Sequence, residues 1–194
     1  GDIPLACAGI ITKVNMIFMS FVIGISQGIQ PIIGFNYGAA KYTRVRKTYL
    51  LALATATALS FVAFGCFQLF PRQIISVFGK GSELYFQFSE RYFRIYMFLT
   101  LINGIQPVTS NFFNSIGKSS LGVFMSLTRQ ILFLLPLIIV FPIFMGIDGV
   151  MYAGPIADAA TGIVCGIFTI RELKELKTLS YTSENAAAAS GSAN

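Results

Sequence analysis

Two ionisable residues, Arg129 and Asp158, lie deep within apolar sequence. A charge at the centre of a lipid-spanning helix costs about 2.5–3.5 kcal/mol on insertion scales, so it marks a candidate for function. Depth can be counted along each apolar segment at ~1.5 Å per residue. Arg129 then falls roughly 12 Å, and Asp158 roughly 16 Å, from the same membrane boundary. The two segments are consecutive and joined by a short turn, so they should be antiparallel neighbours. This predicts that the two side chains meet, directly or through one water. The pair has two possible roles: a structural ion pair, or a relay for a proton or cation. A third charge, Lys13, stands two turns from a segment end, close enough to snorkel to the interface.

Uncharged polar residues form the second group. Asn103, Gln106, Ser110 and the adjacent Asn111, and Asn114 recur mostly at steps of three or four, which predicts one helical stripe. Gln27, Gln30 and Asn36 gather with Ser26 in the inner half of the first apolar segment. The tetrapeptide Gly-Ile-Gln-Pro occurs in both places, at 28–31 and 104–107. Proline removes one helical hydrogen bond and kinks the helix. A glutamine in lipid must find a partner or line a wet cavity. These side chains therefore either line a pathway for substrate and ion or act as hydrogen-bonding glue between helices. Gly24-x-x-x-Gly28 and Gly34-x-x-x-Gly38 predict faces for close helix approach.

Other chemistries find no residues. The chain has no histidine, so a Ser-His-Asp or Cys-His centre cannot form. It shows no paired carboxylates, and an enzymatic role is not expected. Gly79-Lys80-Gly81-Ser82 lacks the strand and spacing of a phosphate loop. Cys7, Cys66 and Cys165 match no metal or disulfide pattern and read as small buried hydrophobes. No metal site and no cofactor are expected.

The elements that must hold these residues are helices in a membrane. The chain is 55% hydrophobic and 11% charged, against the roughly 25% charge of soluble domains. Five apolar segments predict five spans, at 5–37, 48–70, 85–116, 121–145 and 149–170, within a bundle covering 1–177. The two longest, 5–37 and 85–116, carry the Gly-Ile-Gln-Pro copies and should be kinked or tilted. The connection 71–84 reads as a short amphipathic segment on the interface. The net charge of +6 does not predict nucleic-acid binding, because the basic residues sit in short loops between spans. Lys41, Arg44, Arg46, Lys47, Lys118, Arg171, Lys174 and Lys177 fall on one side, and Arg72, Lys80 and Arg91 on the other. The positive-inside rule makes the first side cytoplasmic, together with the C-terminus. Gly1 then starts outside without a targeting signal, so the sequence reads as a fragment with at least one earlier helix. Residues 178–194 are Ala/Ser-rich and predict a disordered polar cytoplasmic tail. Tyr37, Tyr42, Tyr49, Tyr85, Tyr92 and Tyr152 fall near span ends, as in an aromatic belt.

The motifs in order resemble a known family. The run 28–39, Gly-Ile-Gln-Pro-Ile-Ile-Gly-Phe-Asn-Tyr-Gly-Ala, is similar to the inner end of the eighth helix of MATE multidrug and toxic compound extrusion transporters. Leu127-Thr-Arg-Gln-Ile-Leu-Phe-Leu-Leu-Pro136 resembles the start of their eleventh helix. Gly146-Ile-Asp-Gly-Val150 and Pro155-Ile-Ala-Asp158 resemble the entry and first half of the twelfth. The resemblance implies an all-α, twelve-helix transporter of two six-helix lobes, with this chain supplying helices eight to twelve. It further implies a multi-pass cell-membrane antiporter that exports cationic amphipathic drugs and toxins in exchange for Na⁺ or H⁺. The partners implied are a missing N-terminal lobe, small-molecule cations and membrane lipid. One branch of the family carries an acidic residue on its tenth helix, where this chain has only amides and hydroxyls. The coupling ion is therefore left open. Two other readings stand beside this one: a flippase for lipid-linked oligosaccharides or polyisoprenoids, and a non-transporting membrane scaffold subunit.

Overall fold

The computed structural model describes residues 2–79 and 83–191, and every element among them is helical. The expectations on Lys80, Gly81 and Ser82 lie outside the described residues. In chain order the helices are α1 (Asp2–Gly38), α2 (Tyr42–Leu69), α3 (Pro71–Phe78) and α4 (Glu83–Tyr96). A short 3₁₀ turn, Met97–Leu99, leads into α5 (Thr100–Asn103) and α6 (Ile105–Ser115). Then follow α7 (Ser119–Leu127), a π-helical stretch (Thr128–Leu134), α8 (Leu135–Met145) and α9 (Ile147–Gly191).

Among the described residues, four helices are long and apolar enough to cross a membrane: Leu5–Gly38, Tyr42–Leu69, Ser119–Met145 and Asp148–Thr182. The remaining expected span, 85–116, is broken into α4, α5 and α6, and no single piece has spanning length. The break follows from its sequence. Gly104 interrupts the helix, and Pro107 has no N–H to give the Asn103 carbonyl. The copy in α1 is gentler, with Pro31 inside a continuous helix.

The apolar residues are distributed as a membrane requires. Val22, Ile33, Phe93, Phe112, Phe113 and Met125 are buried between helices. Phe21, Phe35, Leu51, Phe61, Ile139 and Phe144 are exposed, and α8 buries none of its residues. Soluble surfaces rarely show apolar patches beyond a few hundred Å². Hydrocarbon is the solvent that suits this surface.

Short connections fix the bundle. The left-handed Gly146 (φ 58°) turns α8 into α9. Gly149 brings α9 so near the Phe141 backbone that an added Cβ would lie 2.5 Å from it. On the same side, Arg72 of α3 grips Glu83 of α4 through two bonds of 3.0 and 2.6 Å. That bond raises the Arg72 pKa and lowers that of Glu83. α3 is thereby held against α4.

Three expectations need correction. Tyr49, Tyr85 and Tyr92 do not belong to an interfacial belt, because each is buried in the bundle. Cys66 is exposed, whereas Cys7 and Cys165 are buried as expected. The helix α9 continues through 171–191, where the sequence predicted disorder from residue 178.

Candidate functional site

Three departures from regular α-helix converge on the charged pair. α9 carries Pro155 one turn before Asp158. The π-helical stretch Thr128–Leu134 contains Arg129, and Leu135 N–H bonds back to the Gln130 carbonyl, five residues away. Pro136 follows directly and cannot donate, so the ladder loosens just before it. The broken span contributes Tyr96 and Asn103 from either side of its 3₁₀ turn. Such π-helical turns concentrate at functional positions.

At the centre, Arg129 Nε lies 2.5 Å from Asp158 Oδ1. The Asp158 side chain is 2% exposed and that of Arg129 23%. Asn103 interacts with the same carboxylate, and Tyr96 with Arg129. Asn103 is itself buried, and its Oδ1 has no hydrogen-bond partner among the described residues. A lone buried acceptor is costly in low dielectric, which makes it the chemically open group of the site. α9 comes this close because Gly154 faces the Tyr96 ring and Gly162 faces Ile102. A Cβ on Gly154 would lie 2.7 Å from Tyr96.

The expected amide stripe does not act as one face. Gln106 and Asn111 are five residues apart, hence about 140° apart around a helix of ~100° per residue. The two flanks of α6 therefore meet different neighbours. Ser110 donates to the Gly122 carbonyl and touches Ser126, both at 2.7 Å, and Gln106 reaches the Met125 carbonyl at 3.3 Å. These contacts bind α6 to α7. Asn111 turns the other way, with its Nδ2 donating to Ser26 Oγ at 2.7 Å. Its Oδ1 accepts from Gln30 Nε2 at 2.6 Å. Asn114 is exposed beside Gly122. Asn36 donates to its own helix at the Ile32 carbonyl.

Gln27 is exposed on α1. Gly24 and Gly28 have nothing within 4 Å of an added Cβ, and Gly34 meets only the Ser115 carbonyl at 3.5 Å. The Gly24–Gly28 face therefore remains open among the described residues, while Gly34 touches the end of α6. Lys13 is exposed on the same helix.

Two further polar joints escaped the sequence reading. The Tyr49 hydroxyl bonds Thr109 at 3.0 Å and Thr169 at 2.9 Å, and its ring stacks on Phe112 with centroids 4.2 Å apart. One residue of α2 thus ties α6 and α9 together. Tyr92 donates to Asp148 and pins the α8–α9 turn to α4. The signal for both was weak, because a tyrosine near a span end reads equally as an interface anchor.

Comparison with known proteins places this architecture. The MatE family model matches residues 1–140. A FAD transporter of Shewanella oneidensis is 22% identical over 161 residues, which are 83% of this chain and 35% of that protein. A solved chain known as protein A is 35% identical with a TM-score of 0.78, over 84% of this chain and 36% of its own length. An outward-facing multidrug resistance MATE family transporter of the MOP superfamily superposes with a TM-score of 0.83 at 18% identity. It covers 92% of this chain and 40% of its own. The chain thus spans little more than a third of the length of these relatives. The extent of the family match, with the all-helical fold of the described residues, makes this chain a member of the MATE family of membrane transporters.

Proposed function

We propose that the chain forms most of the second lobe of a secondary active antiporter in the cell membrane, with its C-terminus in the cytoplasm. The transporter exports cationic amphipathic compounds in exchange for Na⁺ or H⁺. A first lobe, outside this chain, completes the pathway, and no enzymatic step is involved. The observation that carries the reading is the buried Asp158–Arg129–Asn103 cluster at the meeting of three irregular helices. Broken helices near the membrane midplane are the usual place for ion and substrate groups in transporters. The open polar face of α1, with Gly24, Gln27 and Gly28, is the surface we assign to the pathway between lobes.

The Shewanella relative supports a second substrate class, an anionic dinucleotide. Such a cargo needs free positive charge in the pathway. The deepest guanidinium here, on Arg129, is matched by Asp158, which favours the cationic cargo. The same argument weighs against a pyrophosphate-linked lipid as in the flippases.

Efflux from cells expressing the full-length protein tests the choice. Export of a lipophilic dye cation, dependent on a Na⁺ or H⁺ gradient and lost in Gln27→Leu, is the expected result. Export of FAD without dye efflux would replace it with the dinucleotide reading. No gradient-dependent export of either would leave the scaffold reading in its place.

A further inference from the structure

The start of α2 and the end of α9 enclose a concavity of ≈ 340 Å³. Arg46, Lys47 and Lys177 line it, and no acidic side chain among the described residues does. The acids of that stretch of α9 are engaged elsewhere: Glu172 and Glu175 bind Lys118 at 2.8 and 3.1 Å. None of the three basic residues has an ion-pair partner among the described residues. Thr43 and Tyr181 add hydroxyl donors.

The depth of the site is informative. Lys47 immediately precedes the apolar segment 48–70. Lys177 stands seven residues beyond the segment 149–170, hence about 10 Å along the helix. Lipid headgroups fill roughly 5–8 Å outside the hydrocarbon on each side, and a lysine stem spans the remainder. The buried Leu176 and the exposed Leu50 also line the concavity, and Leu50 leads onto Leu51, which is 70% exposed. Positive charge at headgroup level, continuous with a lipid-facing apolar wall, matches an amphiphile with an anionic head.

We propose that this concavity is a binding site for one anionic phospholipid, whose phosphate is held by Arg46, Lys47 and Lys177. The site would tie the free end of α9 to α2 through the lipid. It stands apart from the transport reading, because lipid binding can be read without any cargo.

The test is native mass spectrometry of the delipidated full-length protein, titrated with phosphatidylglycerol or with phosphatidylcholine. Phosphatidylglycerol should be retained preferentially. Arg46→Gln/Lys47→Gln/Lys177→Gln should lower its occupancy about tenfold or more, since each basic group near a charged headgroup contributes substantially. Lys41→Gln/Arg44→Gln/Lys174→Gln removes the same charge from neighbouring exposed positions and should change it less than about twofold. Lys177→Gln alone should move it in the same direction as the first triple, and serves if that triple fails to fold. Equal loss in both triples would reduce the site to diffuse attraction and overturn the proposal. Equal retention of the two lipids would do the same. Displacement of phosphatidylglycerol by millimolar inorganic phosphate would assign the pocket to a soluble phosphate instead.

Discussion

Gln30 Nε2 lies 2.6 Å from Asn111 Oδ1, joining residues 81 apart in sequence. The same Asn111 donates to Ser26, so one amide of the broken span holds two residues of α1. An amide with both ends engaged is structural, even where it borders a pathway. Gln27, three residues from Gln30, has no such partner and faces outward.

This contrast gives the first prediction. Asn111→Leu removes two interhelical bonds and strands Gln30. Side-chain hydrogen bonds between membrane helices average ~0.6 kcal/mol, with a maximum near 1.7. Asn111→Leu should therefore lower stability of the full-length protein by about 1–2 kcal/mol. Gln27→Leu should leave stability unchanged. Thermal unfolding in detergent, with efflux measured in parallel, separates them. A stable Asn111→Leu would remove the structural role.

Breaking a buried ion pair by deleting one partner costs about 3–5 kcal/mol, because a charge is left uncompensated. Asp158→Asn should therefore depress both yield and transport. The double variant Arg129→Gln/Asp158→Asn should recover part of the yield, since both charges leave together. Membrane yield and gradient-driven efflux are the two readouts. Normal yield with lost ion coupling in Asp158→Asn would make the pair a relay.

Lys118 fastens the α6–α7 turn to α9 through Glu172, which is buried. Partial burial acts to lower the Lys118 pKa, but the bonds to Glu172 and Glu175 outweigh it and leave it raised. A group with a raised folded pKa stabilises fully below its unfolded value, near 10.4 for lysine, and less as pH climbs through the folded value. Lys118→Met should thus melt lower than wild type at pH 7 to 9, and the gap should narrow only above about pH 10.4. Melting curves across that range decide it. A gap that narrows below pH 9 would point to another group.

Topology is open to labelling. In a Cys66→Ser background, Ser119→Cys should resist an impermeant reagent added outside, and Val77→Cys should react. The motive is the basic asymmetry of the loops. Val77 is 79% exposed on α3, so access there is not limited by packing. Reaction at Ser119 without reaction at Val77 would invert the orientation.

Close approach supplies a final variant. A Cβ on Gly122 would collide with the Asn114 side chain and sit 2.9 Å from the Ser110 carbonyl. Gly122→Val should destabilise by about 1–3 kcal/mol through overpacking, whereas Gly24→Val, with open space around it, should not. Comparative melting of the two variants checks this.

The apolar segments and the turn at 146–149 were legible in the sequence, although the last helix runs on well past 170 and the stretch 85–116 breaks into shorter pieces. Transfer from water to hydrocarbon is summed along a local run of side chains, and backbone bonds close within each helix. The depth count that brought Arg129 toward Asp158 works for the same reason, because rise per residue is local. The partner of each amide was not legible. Asn103, Gln106 and Asn111 share a sequence pattern, yet they face α9, α7 and α1 in turn. That choice depends on how far the broken span rotates at Gly104 and on which glycines admit a neighbour. Gly122, Gly154 and Gly162 admit one, while Gly24 and Gly28 do not. Tyr49 shows the same limit. Its place near a span end is written in the sequence, but its burial was decided by Thr109 and Thr169 arriving from two other helices. Periodicity fixes which side of a helix a residue occupies; only packing fixes what stands opposite.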